Sequence, residues 1–188
     1  MHSEYRLIAG LLVGAVGVSA VAATTSGTMN ATLTLTNGCL INGNPATSNA
    51  DFGTLNFGTH PATFDSLNTV LTGATGDGIR IRCTDGATYT VQIIGSNAAP
   101  TTVYGAQTSS PRYMVLGSDA TKGIAYTLYQ DAAFTTPITN NAAMISAGTP
   151  DPVNGDIYHV YGRVSQGGNN TAIPAGTYTD VINIQVVY

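Results

Sequence analysis

The sequence predicts an all-β protein. Apolar and polar residues alternate with a period of two in runs that recur along the chain, and Gly, Asn, Asp or Pro separates one run from the next. No segment carries apolar residues at helical spacing over three turns. Charged residues make up only 9% of the chain, so hydroxyl and amide groups rather than charges are expected to cover the surface.

Residues 1–22 are predicted to be a secretory signal peptide that is removed from the mature protein. The run from Leu7 to Ala23 is uncharged, rich in Leu, Val, Gly and Ala, and contains an A-x-A pattern that ends at Ala22. Cleavage is expected after Ala22, with Ala23 as the alternative. The run is short for a membrane helix, which needs about 20 apolar residues. The mature chain is therefore expected to be exported, with no transmembrane segment.

The first predicted strand runs from Thr28 to Asn37, just after the signal peptide. Threonine and asparagine occupy one of its faces, and the other face is apolar. The residues alone leave its partner open, because it could be the first strand of its own domain or could pair with a neighbouring molecule. The apolar face consists of Met29, Ala31, Leu33 and Leu35.

Further strands are predicted from the same alternation. Residues 51–58 carry Phe and Leu punctuated by glycine, residues 68–72 form a short strand candidate, and residues 73–78 read as a turn. In residues 78–83 the isoleucines and Cys83 alternate with arginines, which predicts a buried face that includes Cys83. Asp85 and Gly86 predict a hairpin-type connection to the next strand, which carries Tyr89, Val91 and Ile93 on one side.

The second half of the chain continues the pattern. Residues 98–110 are expected to be an irregular loop, residues 111–116 a short edge strand, and residues 142–146 a weak strand candidate. Strong alternation predicts strands over residues 124–130 and 156–165 and a last strand over residues 176–188. Strands at this spacing without helices indicate an antiparallel sandwich, immunoglobulin-like, with a barrel as the alternative. The last strand carries Ile182, Ile184, Val186 and Tyr188 on one face.

Two cysteines, Cys39 and Cys83, are the only ones in the chain. Export to an oxidising compartment predicts that they form a disulfide. A disulfide closing a loop of about 45 residues stabilises a fold by about 4 kcal/mol in the chain-entropy model. A zinc site would need further ligands, and only His60 and His159 follow the signal peptide. No metal site is predicted.

The sequence predicts neither an enzyme nor a cofactor site. His60 lies in a loop setting and His159 alternates along a strand, and no serine or acid accompanies them in a recognisable triad pattern. The glycine-rich segment 73–78 is followed by a strand, whereas a phosphate-binding loop opens a helix. Nucleic-acid binding is also not expected, because the basic residues after the signal peptide form no stripe. They are Arg80, Arg82, Arg112, Lys122 and Arg163.

The order and spacing of several segments resemble the spore coat protein U domain family, which forms subunits of archaic chaperone-usher pili. The resemblance covers nearly all of the chain after the signal peptide. The segments that carry it are Asn37–Cys39, Asp51–Leu55, Ile79–Cys83, Ile124–Tyr129, Val160–Val164 and Gly176–Asp180.

The resemblance implies an incomplete immunoglobulin-like β-sandwich, which lacks its last strand and is completed by a donor strand from a neighbouring subunit. Residues 23–37 would be the donor-strand extension and residues 38–188 the domain. Met29, Ala31, Leu33 and Leu35 would then be the donor residues. Cys39 and Cys83 match the disulfide of the family. The C-terminal strand, with Ile182, Ile184, Val186 and Tyr188, would line the acceptor groove and pair with the chaperone.

The partners implied by the resemblance are identical or related subunits in a head-to-tail polymer, a periplasmic chaperone and an outer-membrane usher. The product would be a surface fibre for adhesion and biofilm formation. A surface-binding adhesin or a spore-coat structural protein of the same fold is the alternative. The residues leave open whether the subunit is major or minor, and which surface it contacts.

Overall fold

The computed structural model describes residues 23–45, 48–73, 76–149, 151, 153–165 and 172–188. The predicted signal peptide lies outside the described residues. The chain divides into two units between Leu35 and Thr36. In the first unit, residues 23–35 carry no strand assignment, and the side chains of Met29, Leu33 and Leu35 are 93%, 81% and 81% exposed.

The second unit is built from fourteen strands among its described residues, which include no helix. The alternating runs form these strands because each can turn its apolar side chains toward a common core. The strands are β1 (Cys39–Ile41), β2 (Asn44–Pro45), β3 (Thr54–Leu55), β4 (Leu67–Gly73), β5 (Gly76–Asp77), β6 (Ile79–Cys83), β7 (Thr90–Gly95), β8 (Thr102–Tyr104), β9 (Arg112–Leu116), β10 (Asp119–Tyr129), β11 (Asp156–Tyr158), β12 (Tyr161–Val164), β13 (Tyr178–Thr179) and β14 (Asn183–Val187).

The strands form three hydrogen-bonded groups. One has the order β11-β6-β1-β2, the second has the order β13-β9-β10-β12-β4-β3, and the third is the pair β14-β7. In addition, β5 pairs with β4, and β8 runs parallel to β10. All the other pairings are antiparallel. The predicted all-β, immunoglobulin-like sandwich is confirmed.

The core lies where the predicted apolar faces meet. Ile79 and Ile81 of β6, Ile93 of β7 and Leu128 of β10 are fully buried. The opposite face of β10 is also covered, because Thr127 is only 2% exposed. β10 also lies inside its sheet, between β9 and β12, so it is enclosed by neighbouring strands as well as by packing on both faces.

Three predictions about connections and strand positions are wrong. Asp85 and Gly86 do not join a hairpin, because β6 pairs with β1 and β11 whereas β7 pairs with β14. Ala87 N donates to Thr84 O in a turn that leads from one sheet to the other. Strand β9 is not an edge, since it lies between β10 and β13. The segment predicted as an irregular loop, residues 98–110, contains β8. Alternation reveals which side chains are buried, but not which strand lies alongside.

The last strand also differs from its prediction. Residues 176–188 were expected to form one strand, but they form two: β13 pairs with β9, and β14 pairs with β7. Residues 180–182 between them have no strand assignment. The weak candidate at residues 142–146 contributes only an isolated bridge between Ala143 and Gln92. The C-terminal segment therefore passes from one sheet to another within a few residues.

Candidate functional site

An apolar groove lies in the second unit between residues 50–64 on one side and residues 173–184 on the other. It consists of two adjoining cavities of about 580 Å³ and 470 Å³. The larger cavity lies toward residues 58–64 and 173–177, and the smaller lies toward residues 50–54 and 179–184. Each volume is large enough for several apolar side chains, so we treat this groove as the candidate site.

The floor of the groove is the core itself. Leu71 of β4 and Tyr126 of β10 are almost fully buried and line the smaller cavity. Ile124 of β10 and Val164 of β12 do the same for the larger one. Phe57 packs edge-on against Tyr126, with ring centroids 5.8 Å apart. Any side chain that entered the groove would therefore contact core residues directly.

Each wall of the groove includes a strand that has a partner on one side only, among the residues described. β3 pairs with β4 and has no second partner, and β14 pairs only with β7. A strand with an unpaired edge presents free backbone donors and acceptors. Two such strands on either side of an apolar groove can accept an extended segment by β-augmentation, in which main-chain hydrogen bonds give affinity and side-chain cavities give specificity.

Asp180 holds the C-terminal wall at the point where it changes sheets. Its Oδ2 accepts a hydrogen bond of 2.6 Å from Tyr126 Oη, and its Oδ1 accepts one of 2.8 Å from Asn97 N. Asn97 Nδ2 also donates to Thr179 O at 3.0 Å. Burial and then the bond to Asp180 raise the pKa of Tyr126 above its usual value, so the phenol remains protonated and donates.

Arg112 supplies positive charge behind this network. Its side chain is only 3% exposed, and one guanidinium nitrogen, Nη2, donates to Ile138 O at 3.5 Å. Burial lowers the pKa of Arg112, and the attraction of Tyr126 and Asp180 opposes that change. A buried cation is costly without an anion nearby, so the negative charge of Asp180 stabilises Arg112 as well as fixing the wall.

Gly53 lets the opposite wall lie close to β4. Its φ of +109° belongs to the region that favours glycine. A Cβ at this position would lie 2.6 Å from Thr72 O, which is backbone and cannot move aside. Gly53 N donates to Asp51 Oδ1 at 2.8 Å, which fixes the turn. The F-G-T-L sequence of residues 52–55 therefore forms a wall that a larger residue at position 53 would displace.

The predicted groove residues occupy different parts of the C-terminal segment. Ile182 and Ile184 line the smaller cavity. Val186 is half-buried and packs against the core. Tyr188 is 52% exposed and does not line either cavity. The predicted donor residues Met29, Leu33 and Leu35 are exposed in the first unit, and so is Ala31.

The predicted disulfide is confirmed. Cys39 and Cys83 are bonded, and they are directly opposite each other in the pairing of β1 with β6. The bond therefore joins the beginning of the domain to a strand whose isoleucines are completely buried.

Sequence reasoning missed the wall formed by residues 56–64 and the role of Tyr126 and Asp180. The repeat of Phe and Leu between glycines in residues 52–58 was the available signal. Apolar residues punctuated by glycine are typical of a segment that follows a sheet edge without continuous pairing. Nothing in the local sequence around Tyr126 distinguishes a groove floor from an ordinary core position.

The two histidines after the signal peptide lie in unrelated settings. His60 Nε2 lies 2.7 Å from Phe57 O. This contact joins two residues of the segment that lines the larger cavity. His159 packs against Tyr161, with ring centroids 5.8 Å apart.

Within the described residues, no group of three or more His, Cys, Asp or Glu side chains is placed to hold a metal ion. No helix in that part of the chain is both long and apolar enough to cross a membrane.

Removing the hydroxyl of Tyr126 is expected to destabilise the domain. In Tyr126→Phe, Asp180 loses a buried donor, which for a bond to a charged group costs about 1.5–3 kcal/mol. The matched control is Tyr178→Phe, because Tyr178 Oη donates to a neutral acceptor, Pro174 O, at 2.8 Å, and its loss should cost about 1 kcal/mol. Urea unfolding of the two variants measures the difference. Equal losses would contradict the role given to Asp180.

The comparisons with known proteins agree with this architecture. The family model of the spore coat protein U domain matches residues 25–185, a range that includes both the exposed apolar segment and the groove. No curated protein matches the chain. Members of this family are structural domains of pilus, fimbrial and spore-coat surface proteins. The match covers well over half of the sequence, and the chain belongs to the spore coat protein U domain family.

Proposed function

We propose that this protein is a structural subunit of an archaic chaperone-usher pilus, and that it polymerises by donor-strand complementation. Residues 28–37 of one subunit enter the groove of the next as an additional strand between β3 and β14. The observation that carries this proposal is the apolar groove between two singly paired strands. The exposed apolar face of Met29, Leu33 and Leu35 provides a matching segment.

The energetics support a long-lived joint. Inserting Met29, Ala31, Leu33 and Leu35 would contribute on the order of 5–10 kcal/mol from burial of apolar surface. Each new backbone hydrogen bond would add about 0.5–1.5 kcal/mol. The interaction is head to tail, since a donor and a groove are different surfaces of the subunit. Such a contact propagates into a filament instead of closing into a dimer.

The same features explain the proposed partners. An empty groove with unpaired strand edges is an aggregation hazard, so a periplasmic chaperone would have to cover it until assembly. An outer-membrane usher would then exchange the chaperone for the next subunit. The predicted signal peptide is consistent with passage through the periplasm, and the polymer would be a fibre on the cell surface that serves adhesion and biofilm formation.

Purifying the mature protein without a chaperone tests the proposal. We expect concentration-dependent polymers in size-exclusion chromatography, and a higher melting temperature for the polymers than for the fresh monomer, because each inserted strand completes a sandwich. A subunit that stays monomeric at every concentration, with one unchanging melting transition, would refute donor-strand polymerisation.

A further inference from the structure

The two cavities share part of their lining. Four residues line both cavities, and we call them the saddle because they lie between the two. They come from both walls and from β9, so the assembled fold brings them together. The saddle residues are Leu55, Phe57, Met114 and Tyr178.

The saddle residues cannot easily move toward the core to make room for a large side chain. Leu55 and Phe57 pack down onto the backbone of β12 at Gly162, where a Cβ would lie 2.8 Å from both Leu55 Cδ2 and Phe57 Cζ. Phe57 also packs edge-on against the buried Tyr126. Close-packed interiors resist added volume. A strand lying across the saddle therefore needs a small residue there, with larger residues on both sides.

The exposed apolar segment has this pattern. Successive residues on one face of a strand are about 6.8 Å apart, and the apolar face reads Met29, Ala31, Leu33, Leu35. Ala31 is the only small residue with a large apolar neighbour on each side. We propose that Ala31 of one copy of this chain lies over the saddle of a second copy, with Met29 in one cavity and Leu33 in the other. This inference rests on the proposed function and adds the register of the joint.

Other registers fit the groove less well. A shift of one residue would turn the polar face of the segment inward, since it exchanges the two faces of the strand, and would place Asn30 or Thr32 on the saddle. A shift of two would put Met29 or Leu33 there. A shift of four would put Gly27 on the saddle but Thr25 in a cavity. Reversing the strand direction exchanges the two cavities but leaves Ala31 in place.

Cysteine cross-linking of the full chain measures the register. Met114→Cys on the saddle is combined in turn with Met29→Cys, Ala31→Cys or Leu33→Cys, and the subunits are mildly oxidised after assembly. We expect a covalent ladder in a non-reducing gel from the Ala31→Cys pair, stronger than from either other pair. A stronger ladder from the Met29→Cys or Leu33→Cys pair would overturn the register while leaving donor-strand assembly intact.

Two further outcomes of the same experiment concern the occupant. A cross-linked monomer instead of a ladder would show that the groove takes the segment of its own chain. That result would overturn the proposal that a second copy supplies the segment. No cross-link from any of the three pairs, in chains that form no polymer, would refute the proposed function itself. The failure of the register and the failure of the function are thus distinguishable.

Bulk at position 31 provides a second test that does not depend on added cysteines. Ala31→Leu is expected to slow fibre growth at least about tenfold, because the saddle would have to yield to the larger side chain. Thr32→Leu is the matched control, because it adds bulk on the opposite face of the strand, and it should grow at nearly the normal rate. Normal growth of Ala31→Leu would overturn the register.

Discussion

Leu33→Asp is expected to abolish the proposed polymerisation while leaving the subunit folded and able to bind the proposed chaperone. Leu33 is 81% exposed in the single chain, so the substitution changes little within the subunit. In the proposed joint, the variant would lose about 2 kcal/mol of apolar burial and place a carboxylate in an apolar groove. Burial of an unpaired ion costs several kcal/mol more. Together these terms would weaken the joint by more than about a thousandfold.

Among the described residues, the groove offers the carboxylate no arginine or lysine as a partner. Asp51 and Asp180 line the smaller cavity, so a carboxylate that entered that cavity would meet like charges. Leu35→Asp is expected to behave in the same way.

The matched control is Thr32→Asp, which adds the same charge on the outward face of the same segment. It should form fibres that electron microscopy of the cell surface detects, whereas Leu33→Asp cells should be bare but still contain the chaperone-bound subunit. Normal fibres from Leu33→Asp would refute the donor role of this face. Bare cells from both variants would show that charge anywhere in the segment, rather than groove insertion, blocks assembly.

Side-chain alternation was sufficient to predict the strands and much of the core. Ile79 and Ile81, and Val91 and Ile93, alternate with polar residues and are all buried, because a strand with one apolar face must turn that face inward. Alternation carries no information about neighbours, however. Strands β6 and β7 follow each other in the chain, as hairpin strands do, yet they lie in different sheets. Their apolar faces are buried across the core and not side by side.

The groove could be predicted only in part for a related reason. Ile182 and Ile184 belong to a strongly alternating sequence and line the groove, although only Ile184 lies in a strand. The floor and the other wall come from residues far away in the sequence, such as Phe57 and Tyr126, whose local patterns resemble those of ordinary core residues. Asp180 lies between β13 and β14, and its carboxylate accepts hydrogen bonds from Tyr126 and Asn97. These bonds are tertiary contacts, and no local pattern encodes them.

Removing the disulfide by Cys39→Ser combined with Cys83→Ser is expected to lower the free energy of unfolding by about 4 kcal/mol. The two cysteines are 44 residues apart in sequence, so the bond removes much of the freedom of the unfolded chain. In the folded state, β1 is short and pairs with β6 over three residue pairs. A loss of this size is a large fraction of the total stability of a domain, so the yield of exported subunit should fall. Urea unfolding measures the change.

Reduction of the wild-type protein separates the cross-link from other effects of the serines. With a thiol reductant present, the wild type should lose about as much stability as the double variant, and the double variant should not respond. Thr84→Val is the control for local contacts, since Thr84 Oγ1 accepts a hydrogen bond from Gly38 N at 3.0 Å. It should cost about 1 kcal/mol. A double variant as stable as the wild type would mean that pairing of β1 with β6 alone fixes the start of the domain.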